Sequence, residues 1–134
     1  MRSSVEDKEL IALATQARKQ AYAPYSHYKV GAALWTASGQ VYTGCNVENA
    51  SYGLTICAER TAAVKAVSSG ERDFVAIAVV TADGGTPCGA CRQVLAEFAE
   101  GLPVLLANRK ERSLHDLRDL LPHSFTGRNF RPMT

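Results

Sequence analysis

Residues 74–81 read FVAIAVVT, an unbroken apolar run rich in β-branched residues. A run of this kind is expected for a strand buried on both faces of a sheet. Such a strand needs helices above and below it, and the flanking sequence supplies them. Upstream, residues 57–69, CAERTAAVKAVSS, are rich in helix formers, and Gly70 provides the stop. Downstream, the ADGGTP loop (82–87) leads into a helix over 89–99, closed by Gly101 with Pro103 beyond. PVLLAN (103–108) reads as a second short buried strand. Ser113 is placed to cap a last helix carrying Leu114, Leu117, Leu120 and Leu121, ended by Pro122.

On the N-terminal side, HYKVGAALWTASGQVYTGCNV (27–47) gives two strand-like runs turning at Ser38-Gly39, an antiparallel hairpin. Before it, Leu10, Leu13, Ala14, Ala17 and Ala21 recur at helical spacing. Ser4 is a candidate cap for that helix, and it must stop before Pro24, since the residue preceding proline avoids helical angles. The order is helix, hairpin, helix, strand, helix, strand, helix. Two strand–helix–strand crossovers joined to a hairpin imply a mixed sheet covered by helices on both faces. No repeat or interdomain linker is evident, so residues 1–134 are expected to form one domain. The tail from Gly127, GRNFRPMT, lacks periodicity and is expected to be irregular or packed on a neighbour.

An apolar share of 46% and a charged share of 21% are ordinary for a soluble globular protein. Net charge is +2 with scattered basic residues, so no stripe suggests nucleic acid or a membrane surface, and a small-molecule ligand is favoured. No apolar stretch approaches the roughly 20 residues needed to cross a bilayer. The polar start MRSSVEDKEL is unlike a signal peptide, which makes the cytoplasm the default location. In a reducing compartment the four cysteines are better read as ligands or catalytic groups than as disulfide partners.

Cys88-Gly89-Ala90-Cys91 is a C-x-x-C pair, by itself ambiguous between zinc, redox chemistry and chance. Cys57 opens a different helix upstream. Three thiolates from two helix N-termini can converge on one tetrahedral zinc with its fourth position open, the mark of a catalytic site. Helix N-termini also favour the thiolate form. Glu59, in the first turn after Cys57, adds a carboxylate able to move protons without ligating the metal. Zinc lowers the pKa of bound water from about 15.7 toward about 7. Two positive charges against three thiolates leave a net negative centre, which Arg60 or Arg92 can relieve by donating to sulfur; Arg60 is the preferred candidate. Cys45 has no partner in the motif and reads as a strand cysteine. His27, His115 and His123 lack metal spacing and are expected to face solvent, and Trp35 is expected to serve packing. Asn46 and Glu48 lie two apart at a strand end, so they can point the same way.

Zinc deaminases carry an H-x-E…P-C-x-x-C signature with a three-cysteine variant, and Cys57-Ala58-Glu59 followed by Pro87-Cys88-Gly89-Ala90-Cys91 matches that variant. The chain resembles the small homotetrameric cytidine deaminases over nearly its whole length. AYAPYSHYKVGAAL (21–34), GCNVENASYG (44–53), CAERTA (57–62), PCGACRQV (87–94) and LLPHSF (120–125) carry the likeness. The resemblance implies a three-layer α/β/α sandwich with a mixed, about five-stranded sheet. It implies one zinc per subunit on Cys57, Cys88 and Cys91, with Glu59 as proton carrier. The implied reaction is hydrolytic deamination of cytidine and 2′-deoxycytidine in pyrimidine salvage. It further implies that Asn46 and Glu48 bind the ribose 3′-hydroxyl and that Ala58 and Cys88 contact the base through their backbones. Tyr28 stands where relatives usually carry a phenylalanine against the pyrimidine ring, and its hydroxyl needs a partner. Phe125, a core residue by sequence alone, matches an aromatic that reaches a neighbouring subunit's site, and Tyr52 is expected near that boundary. Open alternatives are a deaminase of a nucleoside antibiotic such as blasticidin S, a polynucleotide deaminase and a non-catalytic zinc module.

Overall fold

The structure, a computed structural model, describes residues 4–130, with only the backbone described at residues 4, 5, 128 and 129. The cap expected from the Ser4 side chain and the last four residues of the tail lie outside that description. The hairpin is β1 (Gly31–Thr36) and β2 (Val41–Cys45), and the FVAIAVVT run forms β3 (Phe74–Val80). With β4 (Pro103–Ala107) and β5 (Arg112–Asp116) they form a five-stranded sheet in the order β2-β1-β3-β4-β5. β3 and β4 run parallel and every other neighbouring pair is antiparallel, so the sheet is mixed.

Side-chain alternation divides the sheet into two dissimilar faces. On one, Ala33, Ala76, Ala78, Val80 and Ala107 receive Leu10 and Ala14 of α1 (Ser4–Arg18). These are mostly small residues, and α1 presses close: a Cβ on Gly31 would lie 2.0 Å from the Ala14 carbonyl oxygen. On the other, Ala32, Leu34, Ile77, Val79, Val104 and Leu106 pack under α2 (Ala58–Ser68) and α3 (Gly89–Glu97). Here too a glycine sets the approach, because a Cβ on Gly44 would meet the Ala62 nitrogen at 2.6 Å and the Ala58 oxygen at 2.7 Å. Helices therefore cover both faces, as the β3 run required. The close seat of α2 on β2 is also what fixes its N-terminus, where the chemistry lies. Trp35 packs partly buried against the α1 side, consistent with its packing role.

Two expected elements differ. The last helix was expected to begin after Ser113, but residues 112–116 form edge strand β5, and helix α4 is only Leu117–Leu120. The leucine spacing fits a helix, yet β4 offers this segment a full antiparallel ladder, and Asn108 Oδ1 turns the chain by accepting from the Lys110 and Glu111 N–H groups. Asp116 caps α4 in place of Ser113, accepting from the Arg118 N–H at 2.9 Å, and Leu114 is left 60% exposed. The first helix ends at Arg18. Beyond it Lys19, Gln20 and Ala21 make tighter bonds to residues three back, and Tyr22 is drawn into pairing with Val47.

Candidate metal and ligand site

Cys57 is the N-cap of α2 and Cys88 the N-cap of α3, both extended, and Cys91 lies one turn into α3. Side-by-side packing of these helices on one sheet face brings the thiols together. Cys57 Sγ is 3.7 Å from Cys88 Sγ, and Cys88 Sγ is 3.4 Å from Cys91 Sγ. All three sulfurs lie within 4.8 Å of one another. Arg60 Nη2 donates to Cys57 Sγ at 3.6 Å and to the Thr55 carbonyl at 3.3 Å. Hydrogen bonds from Cys91 and, against burial, from Arg60 bring the Cys57 thiol down to about 5, while its bond to Cys57 and its own burial push the Cys91 thiol up. A three-sulfur set with one acidic member and a cationic donor fits zinc.

Of the two arginines weighed for sulfur contact, Arg92 is employed elsewhere. It donates to the Pro87 carbonyl, the Thr86 hydroxyl and the Leu120 carbonyl, tying the loop before Cys88 to the end of α4.

Glu59, in the first turn of α2, is only 5% exposed, and burial pushes its carboxyl up to about 7. With Cys57, Ala58 and Cys88 it lines a cavity of about 240 Å³, into which Asn46, Glu48, Tyr28 and Tyr52 also face. Asn46 and Glu48 are thus brought to the same cavity as the thiols. Asn46 is stitched to the segment before β1, donating from Nδ2 to the Tyr28 carbonyl and accepting from the Val30 N–H, both at 2.8 Å. Glu48 gathers donors: the Tyr25 and Ser26 N–H groups on Oε1, and the Ser26 hydroxyl with the more distant Tyr52 hydroxyl (3.4 Å) on Oε2. Burial opposes its charge, but the Ser26 hydroxyl and the two N–H groups outweigh burial and hold Glu48 below the usual carboxylate range.

Tyr28 finds the partner its hydroxyl required in Asp83, at 2.6 Å. Phe125 is not core: it is 57% exposed, stacks edge-on against Phe130 at 5.5 Å, and its carbonyl accepts from Gln93. It does not line this chain's cavity. His27 and His123 are exposed, whereas His115 is half-buried and bonds Ser113 at 3.0 Å. Sequence reading missed Ser26 and Asp83. Ser26 carried no motif signal, and Asp83 sits in an Asp-Gly-Gly turn whose ordinary reading is a loop.

The family model for the cytidine and deoxycytidylate deaminase zinc-binding region matches residues 4–105. A cytidine deaminase of Sporosarcina psychrophila is 52% identical over 89% of this chain and 90% of its own length. One of Halalkalibacterium halodurans is 51% identical over 87% and 92%. Among solved structures, cytidine deaminase from Burkholderia pseudomallei superposes with a TM-score of 0.84 at 52% identity, covering 88% of this chain and 98% of that one. The enzyme from Mycobacterium tuberculosis gives 0.78 at 43% identity over 90% and 97%.

Proposed function

This chain belongs to the cytidine and deoxycytidylate deaminase family, and from that premise we propose that it hydrolyses cytidine and 2′-deoxycytidine to uridine and 2′-deoxyuridine with release of ammonia. The observation that carries the reading is one cavity lined both by the thiol cluster with buried Glu59 and by Asn46 with Glu48. Cys57, Cys88 and Cys91 would hold one zinc per subunit. Bound there, the metal would supply Lewis acidity, the chemistry that brings the pKa of a water toward neutrality.

Glu59 moves the protons. It takes one from the water that adds to C4 and gives it to ring N3, then delivers a second to the departing amine. A C4–O bond forms, the C4–N bond breaks, one water is consumed and one ammonia leaves. A carboxyl held near neutrality by burial suits both roles. The Ala58 and Cys88 backbones are proposed to face the base. At the sugar, Asn46 keeps one Nδ2 hydrogen beyond the one given to Tyr28, and Glu48 accepts the 3′-hydroxyl in place of Tyr52, the longest of its four donors. An anionic Glu48 repels a 3′-phosphate, so free nucleosides are favoured over polynucleotides.

The working unit is proposed to be a homotetramer, cytoplasmic and serving pyrimidine salvage. Its support is the resemblance together with exposed Tyr22, Tyr52, Leu54 and Phe125, which a subunit neighbour would cover. Among the described residues no helix is long and apolar enough to cross a membrane. Ammonia release and bound zinc should be measured together on cytidine, deoxycytidine, cytidine monophosphate, a cytosine-containing oligonucleotide and blasticidin S. Turnover of the two nucleosides alone is expected. Turnover of only the oligonucleotide or the antibiotic would overturn the sugar reading, and zinc without any turnover would leave a non-catalytic module.

A further inference from the structure

Two chain segments frame the cavity from opposite sides of one ladder. Gly31 and Val80 face each other where β1 meets β3. Past that point, the 26–30 segment contributes Ser26, Tyr28 and Val30 to the lining, and the 81–88 segment contributes Thr81, Gly85, Thr86 and Cys88. Beyond the ladder they are joined by the bond from the Tyr28 hydroxyl to Asp83 Oδ1, at 2.6 Å.

Both ends of that bond are held in place. Asp83 Oδ1 also accepts from the Gly85 N–H at 3.0 Å and the Thr81 hydroxyl at 3.2 Å, while Thr81 Oγ1 accepts from the Gly84 and Gly85 N–H groups. At the other end, the Tyr28 N–H donates to Ser26 Oγ at 3.0 Å and its carbonyl accepts from Asn46 Nδ2. Ser26 in turn donates to Glu48. The loop packs tightly on the phenol: a Cβ on Gly85 would stand 3.1 Å from the Tyr28 hydroxyl oxygen. Burial and then the Asp83 bond raise the Tyr28 phenol above its ordinary value, and the same bond leads the causes that hold Asp83 low.

We propose that Tyr28 and Asp83 form a latch at the edge of the cavity, with Asp83 a positioning residue that fixes the Tyr28 ring and the spacing between the sugar-side segment and the Cys88 segment. Asp83 itself is not part of the lining. It acts through Tyr28, whose backbone is bound into the Asn46–Ser26–Glu48 network. A phenylalanine at position 28 keeps the ring and loses the latch.

The inference rests on the nucleoside reading, and its test separates the two. Tyr28→Phe and Asp83→Ala are each expected to raise KM for cytidine about fivefold, with a smaller change in kcat, as suits one bond at a partly exposed site. The double variant should be no worse than either single one, because both remove the same bond. Asp83→Asn keeps a carbonyl acceptor and should return KM to within about twofold of wild type. Zinc content is measured in every variant so that a misfolded protein is not scored. Single-variant KM values within twofold of wild type, or multiplying effects in the double variant, would overturn the latch. If wild type fails to deaminate cytidine, the nucleoside reading falls, and the latch is judged by spectrophotometric titration of the tyrosines. Tyr42 is also held late, by burial and Glu71, so two late-ionising phenols are expected. One of them moving earlier in Asp83→Ala supports the latch, and unchanged titration overturns it.

Discussion

Glu59 and Glu48 line the same cavity and expose equally little surface to solvent, 5% and 4%, but Glu59 lies far deeper in the protein, and their surroundings drive them in opposite directions. Glu59 sits where α2 closes on the sheet among apolar neighbours and a thiol, so desolvation dominates and its carboxyl rises to about 7. Glu48 sits at the end of the hairpin, where the 22–28 segment turns two N–H groups and a hydroxyl onto it, and its carboxyl stays low. A small exposed surface alone does not set a carboxylate's charge. Its depth and the donors around it do. The pair matches the division of labour the proposed reaction needs, one group that exchanges protons near neutral pH and one that stays anionic to hold a hydroxyl.

The sharpest way to break this comparison is Glu59→Gln, which keeps shape and burial but cannot trade a proton. Turnover of cytidine is expected to fall about a thousandfold with zinc content unchanged, measured by ammonia release and metal analysis on one sample. Glu48→Gln should act on binding instead, raising KM for cytidine about thirtyfold while kcat moves less. If both variants lost kcat alike, the two carboxylates would not hold different roles. Removing a donor and sparing the acid is gentler: Ser26→Ala should cost about fivefold in kcat/KM for cytidine, read by steady-state kinetics.

The smallest effect is in acid. Because the folded pKa of Glu48 is depressed, its contribution to stability is complete above the ordinary carboxylate pKa and is lost as pH falls through the lower folded value. Ser26→Ala weakens that depression, so its acid-unfolding midpoint, followed by circular dichroism, should shift to slightly higher pH than wild type. A midpoint that did not move would mean the backbone donors alone hold Glu48.

Much of this was legible in the chain. FVAIAVVT demanded a strand covered on both faces, and β3 is one. CAE and PCGAC sit at helix starts because cap and first-turn positions follow from local sequence, and the two N-caps are Cys57 and Cys88. Arg60 was preferred over Arg92 for the sulfur contact, and the hydrogen bonds divide that way. What failed was non-local. Leu114, Leu117 and Leu120 have helical spacing, and only the open edge of β4, assembled by tertiary packing, makes residues 112–116 a strand. Phe125 has a core residue's chemistry and an exposed position, since nothing in its own neighbourhood says which surface it meets.

By itself, then, the sequence determined the residue types and their places on local elements: three thiols at two helix starts, a carboxyl in the first turn, a strand buried on both faces. Only the tertiary structure decided which distant groups share a volume. It set Asp83 against Tyr28, and it set Ser26 and Tyr25 against Glu48, across sequence separations no periodicity encodes. Helix starts and strand runs are set by dihedral preference and spacing within a few residues. The charge a buried carboxylate carries is set by donors and dielectric that arrive from elsewhere in the fold.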